Sequence, residues 1–448
     1  MRLSSETLAA LPAEIDRFAY DRAEQEVGIV HYGIGAFHRA HQAWYTDLAM
    51  DRGDCDWMIC GVSMRSKEVA NSLNPQDGLY TLTARTGSTS ITRVIGSVRE
   101  VLFAPDEADA VVDRIAAPAC RIVSFTVTEK GYARAFDGSL DIELARQSFY
   151  SSLARGLKRR MDSDLPGVTL LSCDNLADNG ALLSSLVREW IRTECPELED
   201  WFERKCTVPS TMVDRIVPRT SPADVSTLAD TMGMEDLSAV FTEPFSQWVI
   251  EDEFANGRPA WDSVGAQLVE DVQPYEMAKL RILNGAHSFL AYAGLREGHE
   301  FVHEAIRDPA LREQTERLME EAASTVDAPS GLDLAQYRQD LIARFAEPSI
   351  RHRLSQIAMD GSQKLPQRWL DTALQYVRTG KEPKFFPAAL DCWLWHLEDG
   401  RYVDDPHGEE LTRLMQAEGR SSVIARCFFG SDERPALWHG YSELVSKA

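Results

Sequence analysis

Lys279, Asn284 and His287 fall within one short run, Lys279-Leu-Arg-Ile-Leu-Asn284-Gly-Ala-His287, in an otherwise largely apolar helical pattern. An α-helix turns about 100° per residue, which places Asn284 about 140° and His287 about 80° around from Lys279. All three then share one side. An amine, a carboxamide and an imidazole converging from one helix suit alcohol–carbonyl chemistry: a base for the hydroxyl proton, a donor for the oxygen, and a second donor to orient the substrate. The same spacing also suits an ordinary helix with a snorkelling lysine, a capping asparagine and a packed histidine. The rest of the chain has to decide.

Composition narrows the field. With 448 residues and 44% hydrophobic content the chain can bury a large core, and its length suggests two domains or more. A net charge of −23 and a pI near 4.9 argue against nucleic acid or an anionic membrane surface and favour a small solute. No apolar run reaches the length of about 18 residues that suggests a membrane span, and no charged-then-apolar leader follows Met1, so neither a span nor secretion is expected. The eight cysteines, at 55, 60, 120, 173, 195, 206, 392 and 427, form no CxxC pair and no metal-ligand spacing. They predict reduced thiols in a cytoplasmic protein without a structural metal.

Residues 1–24 suggest a loosely attached helical leader. From Val27 the pattern predicts a buried strand, then a turn at Gly33-Ile-Gly35-Ala36-Phe37-His38, then a helix to about Met50. Strand, glycine turn and helix open a dinucleotide-binding unit: the glycines admit the pyrophosphate close to the backbone, and the helix N-terminus faces its charge. His38 stands where the third glycine of GxGxxG would be, so an ordinary tight turn remains the alternative. A second strand at Trp57–Val62 leads into Ser63-Met64-Arg65. The usual acid for an adenosine ribose is missing there, and Arg65 suits either a 2′-phosphate or adenine stacking, which leaves NAD and NADP both open.

Further strands are expected at Leu79–Arg85, Ile91–Val101, Arg121–Thr128 and Val168–Ser172, with helices at 105–116, 141–161 and 180–190. The strand ends at Thr128 and Ser172 deliver Glu129-Lys130-Gly131-Tyr132 and Cys173-Asp174-Asn175 to the sheet edge where ligands bind. Asp178 or Asn179 is expected to cap the following helix, freeing Asn175 for a ligand. Asp214-Arg215 sets an acid and a base beside a buried-looking Val and Ile, which also suits a local ion pair. After about Leu268 amphipathic helices dominate, punctuated by Ser330-Gly331 and Gly361. The expected division is an α/β Rossmann-like dinucleotide-binding domain over 1–270 and a mainly α-helical domain over 271–448, with the Lys279 helix facing the cofactor cleft.

Taken in order, Gly33-Ile-Gly-Ala-Phe-His-Arg-Ala-His41-Gln42, Thr126–Tyr132, Ser172–Asn175, Met212-Val-Asp-Arg215-Ile, Lys279-x4-Asn284-x2-His287 and Asp360-Gly-Ser-Gln-Lys364-Leu-Pro resemble the mannitol dehydrogenase family, the polyol-specific long-chain dehydrogenases that include mannitol 2-dehydrogenases and fructuronate reductases. The resemblance implies metal-free hydride transfer between NAD(P) and a sugar-derived secondary alcohol. It implies Lys279 as general base, its pKa depressed by partial burial and a neighbouring positive charge. Asn175 and Asn284 would hold the alkoxide-like oxygen, His287 an adjacent hydroxyl, and Asp214 and Lys364 the rest of an open-chain substrate. Gly33, Gly35, Ala36, Phe37, Arg65, Thr128 and Lys130 are the candidate dinucleotide contacts. In the mannitol-oxidising branch an Arg stands eight residues before the motif Lys; here that position is Gln356. The wording of this segment is closer to the hexuronate branch, so D-mannonate/D-fructuronate is the first expectation and mannitol/fructose, or a polyol such as arabinitol, the second. A uronate carboxylate needs cations, and Arg351, Arg353, Lys364 and Arg368 offer them, unless they form a basic solvated face. A non-catalytic sugar or nucleotide sensor is the competing class, although a sensor has no reason to keep the base with both asparagines. No coiled-coil seam stands out, which favours a monomer.

Overall fold

The computed structural model describes residues 1–87, 89–135, 138–329, 332–431 and 434–445. Ser330-Gly331, expected to punctuate the helical half, lie outside them. The chain forms two compact units, Met1–Val272 and Gln273–Ala448, each described by itself.

Unit 1 is built on five strands: β1 (Val27–Tyr32), β2 (Met58–Ser63), β3 (Val98–Phe103), β4 (Ile122–Phe125) and β5 (Thr169–Ser172). They are all parallel, in the order β3-β2-β1-β4-β5. β1, β2, β4 and β5 are buried along nearly their whole length, as a parallel sheet covered on both faces requires. The strand order reverses between β1 and β4, and ligands of open α/β sheets bind beyond the carboxyl ends of strands at such a point. Close approaches there use glycine. A Cβ on Gly33, at φ +92°, would lie 2.1 Å from the Thr126 carbonyl oxygen, and one on Gly61 would lie 2.2 Å from Ile34 Cδ1.

Several expectations change. Ile91–Val101 is two strands: Thr89–Ile95 pairs with Tyr80–Thr86 in a separate four-stranded sheet, whereas β3 belongs to the parallel one. The break is at Gly96, against which the Phe18 ring packs so tightly that a Cβ would sit 2.4 Å from Phe18 Cε1. The supposed leader is therefore part of the fold. Leu3, Leu11 and Ile15 are buried, Asp16–Arg17 pairs with Arg93-Val94, and the Arg22 guanidinium donates to the carbonyls of Asp77, Gly96 and Val98. The helix after the glycine turn is also interrupted. It runs Ala36–Ala40, breaks at His41 (φ −122°, ψ −96°) and resumes at Gln42–Asp51.

Unit 2 is helical. Gln273–Ala278, a π-helical turn at Lys279–Asn284 and Gly285–Arg296 form one run, and every residue from Gly285 to Leu295 is buried. A helix buried all round sits at the centre of its domain. This one packs against the helices Pro309–Ala323, Leu354–Ile357 and Phe386–Asp399. Gly294 allows that approach, since a Cβ there would lie 2.7 Å from Leu354 and 2.9 Å from Ala305. A second π-helical turn, Pro366–Leu370, lies beside the first; Trp369 Nε1 donates to the Gly285 carbonyl at 2.9 Å. Among the described residues no helix is long and apolar enough to cross a membrane, and all eight cysteines are free.

Candidate active site

In unit 1 the glycine turn closes on itself. The Gly35 N–H donates to the Gly33 carbonyl at 2.6 Å and the Gly33 N–H to Val62 at 2.9 Å. Gly35 differs from Gly33: its φ is −84°, and a Cβ there would meet only the Gly33 carbonyl oxygen, at 3.8 Å. The turn thus leaves open the space that a dinucleotide phosphate needs. Ala36 and Phe37 follow it, half-buried, with Phe37 stacked on His41 at 5.1 Å. Arg65 is exposed just beyond the carboxyl end of β2.

Beyond β4 the chain is held in an unusual conformation. Thr128 has φ +63° and ψ 168°, a region essentially restricted to glycine and costing a non-glycine residue about 1–3 kcal/mol. Asp174, in the loop after β5, holds it there: its carboxylate accepts from the Val127 N–H at 3.0 Å, the Thr128 N–H at 2.9 Å and the Tyr132 hydroxyl at 2.9 Å. Burial raises the Asp174 pKa to about 6 despite these three bonds. Thr128 and Lys130 are exposed beside this clamp, as is Asn175. The expected caps act otherwise. Asp178 occupies the cap position without a side-chain cap bond, and Asn179 is buried and tied to Thr211 through both its amide atoms. Asp214 is buried on the strand Thr211–Asp214. Its neighbour Arg215 donates to the carbonyls of Ala40 and Glu243 and lies over the Trp44 ring.

In unit 2 the opening trio lies along one buried helical run. Lys279, Asn284 and His287 are 6%, 6% and 7% exposed. Because Lys279–Asn284 is a π-helical turn, closed by i→i+5 bonds, Asn284 stands about one wide turn above Lys279 instead of 140° around from it. Two of the three side chains carry a buried atom that meets no hydrogen-bond partner among the described residues: Asn284 Nδ2 and His287 Nε2. Each such atom calls for a water, an ion or a ligand to pair with. His287 stacks on Phe345 at 4.5 Å and meets His352 edge-on. Burial, with His352, Arg368 and Arg344 nearby, holds its pKa well below the usual imidazole range, so it works as a neutral hydrogen-bonding group.

The basic cluster divides. Arg351 and Arg353 lie over the Phe301 ring, and Arg353 pairs with Glu300, so these two form the solvated face. Lys364 is half-buried and held by the Met359 carbonyl at 2.9 Å and Asp360 at 3.3 Å. Arg368 donates to Ser288 Oγ at 2.8 Å, one residue from His287. A cavity of about 20 Å³ beside Arg368, lined also by Arg281, Trp369 and Thr372, holds no more than a water. Sequence reasoning missed Asp174, Arg344 and His352. Asp174 stood in the run expected at the sheet edge, without a role of its own; the other two carried no signal.

A parallel sheet of order β3-β2-β1-β4-β5 with an open glycine turn at its reversal point defines a Rossmann-type dinucleotide-binding protein. Family models confirm and refine this: residues 27–263 match the mannitol dehydrogenase Rossmann domain and residues 271–419 the mannitol dehydrogenase C-terminal domain. The chain is 40% identical over 435 residues to the D-mannonate oxidoreductase of Escherichia coli (strain K12), covering 92% of this chain and 90% of that one. It is 37% identical over 469 residues to the mannitol 2-dehydrogenase of Aspergillus terreus (97% and 93%). A solved Pseudomonas fluorescens mannitol 2-dehydrogenase, a ternary complex with NAD and D-mannitol, superposes with a TM-score of 0.89 at 34% identity, covering 100% of this chain and 95% of that one. The chain belongs to the mannitol dehydrogenase family and is an oxidoreductase.

Two outcomes are expected. Gly35→Val should weaken dinucleotide binding severalfold in calorimetry with little change in melting temperature, because its Cβ meets open space; unchanged affinity would place the phosphates elsewhere. Asp174 supplies a pH effect with two signs. Its folded-state pKa lies above the usual carboxylate value, so its contribution to stability is fully present below about pH 4 and is lost as pH rises through about 6. Protonation at the same time removes acceptors from the Thr128 clamp. Between pH 7.5 and 5 dinucleotide affinity should therefore fall while this group's stability contribution rises, and Asp174→Asn should abolish both trends. A pH-independent affinity in the wild type would refute the clamp's role.

Proposed function

We propose that this enzyme interconverts D-mannonate and D-fructuronate, with Lys279 as general base and NAD as the hydride carrier. The observation that carries the reading is the placing of buried Lys279 on one helix with two buried, unpartnered atoms, Asn284 Nδ2 and His287 Nε2. In the oxidation direction Lys279 takes the hydroxyl proton, and in reduction it returns it. Asn284, with Asn175, donates to the oxygen as it becomes alkoxide-like, an effect worth roughly 3 kcal/mol for one preorganised amide donor. Neutral His287 binds the neighbouring hydroxyl, and Asp214 and Lys364 hold the remainder of the open chain. When bound, NAD would supply the hydride chemistry, as acceptor in its oxidised form and as donor in its reduced form. Gly33, Gly35, Ala36, Phe37, Arg65, Thr128 and Lys130 are the residues that would hold it.

The uronate is favoured over a neutral polyol by the cations around His287. Arg368 and Arg344 both act on its ring electrostatically, a setting suited to a carboxylate. The 40% identity to a D-mannonate oxidoreductase supports the same choice. Mannitol–fructose interconversion is the second reading, supported by the likeness to mannitol 2-dehydrogenases. The net charge of −23 argues against a nucleic-acid partner. Free thiols suit a reducing, cytoplasmic setting. Among the described residues the exposed large apolar side chains are few, and Ile91, Leu144 and Phe429 stand in separate segments of the chain, which supports a monomer.

Lys279→Ala should cut turnover by about 100-fold or more while leaving dinucleotide affinity nearly intact, since proton transfer is what is lost. Activity within a few-fold of wild type would remove Lys279 as the base. Arg368→Gln separates the substrates: it should lower kcat/KM for fructuronate by about 2–4 kcal/mol in transition-state terms and cost fructose reduction less. Equal losses would favour the mannitol reading.

A further inference from the structure

Beneath the glycine turn lies a buried polar network outside the roles assigned above. His31 on β1 is fully buried, with Nδ1 2.8 Å from Ser124 Oγ and Nε2 2.8 Å from Thr126 Oγ1. Thr126 Oγ1 is 2.7 Å from the Gly33 carbonyl oxygen, and Ser124 Oγ is 2.7 Å from the Gln42 side-chain amide. His38, in the GxGxxG glycine's place, stacks its ring on His31 at 3.4 Å and is also fully buried.

The directions of these bonds follow from counting protons. A carbonyl oxygen only accepts, so the Thr126 hydroxyl donates to Gly33, and its oxygen must then accept from His31 Nε2–H. Burial pushes the His31 pKa down to about 3, so the ring is neutral and has one N–H. Nδ1 is therefore an acceptor, and the Ser124 hydroxyl donates to it. Ser124 then has no proton left for Gln42, so the amide atom beside it must be the donor nitrogen. The amide oxygen stands there with the nitrogen buried and unpartnered. A half-turn of the amide, which leaves its shape unchanged, pairs the nitrogen with Ser124.

We infer that a buried hydrogen-bond chain of fixed direction, from Gln42 through Ser124, His31 and Thr126 to the Gly33 carbonyl, positions the glycine turn for the dinucleotide, with His31 as its Nε2-protonated positioning residue. The chain joins the end of β1, the end of β4 and the helix after the break at His41. Stacked on His31, the central link, His38 fills the helix–strand gap that a third glycine would close by direct approach. This explains why the fingerprint departs from GxGxxG without loss of the turn. A neutral relay of one direction can hold a carbonyl in a dry interior, where an unmatched donor or acceptor would be costly.

The inference rests on the dinucleotide reading, and the test separates the two. NAD⁺ is titrated by calorimetry into wild type, Thr126→Val and Thr126→Ser. Thr126→Val should raise the dissociation constant by about tenfold, the loss of one well-placed hydrogen bond, and by more than it lowers kcat at saturating NAD⁺. Thr126→Ser, which keeps the hydroxyl, should restore binding to within about twofold, a small fraction of such a bond. No binding by the wild type would overturn the dinucleotide reading and this inference with it. Wild-type binding with no effect of Thr126→Val, or an effect that serine fails to rescue, would overturn the inference alone. Should Thr126→Val fail to fold, the wild type decides: with ¹⁵N-histidine labelling, assigned by difference against His31→Gln, His31 should show a neutral ring protonated at Nε2. The Nδ1 tautomer or an imidazolium would refute the chain.

Discussion

Gly33 and Thr126 approach one another so closely that a side chain at Gly33 would meet the Thr126 carbonyl oxygen at 2.1 Å. Much of unit 1 depends on that contact. It brings the ends of β1 and β4 together where the strand order reverses, and it places the Thr126 hydroxyl on the Gly33 carbonyl. Two residues further on, Thr128 is in a glycine-like conformation that Asp174 stabilises from the next strand end. The sheet edge is therefore shaped by two short polar links between neighbouring strands, with little contribution from the dipole of the five-residue helix that follows the turn.

Unit 2 meets the same problem, fixing polar groups in a dry interior, by widening a helix. A π-helical turn stacks Asn284 above Lys279, and the fully buried helix that continues it carries His287. Single-turn π segments cost regular i→i+4 bonding, and they recur at functional sites because they re-aim side chains that an α-helix would spread around its axis. Here the indole of Trp369, from a second such turn, donates to the Gly285 carbonyl and supports the junction between the wide and the regular helix.

The sequence made local patterns legible. β1, the glycine turn and β2 were readable because burial on both faces produces short apolar runs, and the helical half because its period changes after Leu268. The helical run that carries 279, 284 and 287 was readable from its apolar pattern, although the α-helical angle for Asn284 was not the real one. What the sequence hid depended on distant partners. Gly96 ends a strand because Phe18 packs on it, Asp174 acts on a loop more than forty residues earlier, and Arg344 and His352 come near His287 from more than fifty residues along the chain. The short run of basic residues at 351–368 looked continuous in sequence, but Phe301 and Glu300 draw its first members aside.

A π turn contains one residue more than the α turn it replaces, so Lys279–Asn284 can be regarded as a helix carrying a one-residue insertion. Removing a single apolar residue between the lysine and the asparagine would restore the regular ladder and leave the two side chains still about one turn apart, since four α-helical residues turn through about 400°. The wide turn thus absorbs its extra residue locally, and the flanking helix keeps the face it would present without it.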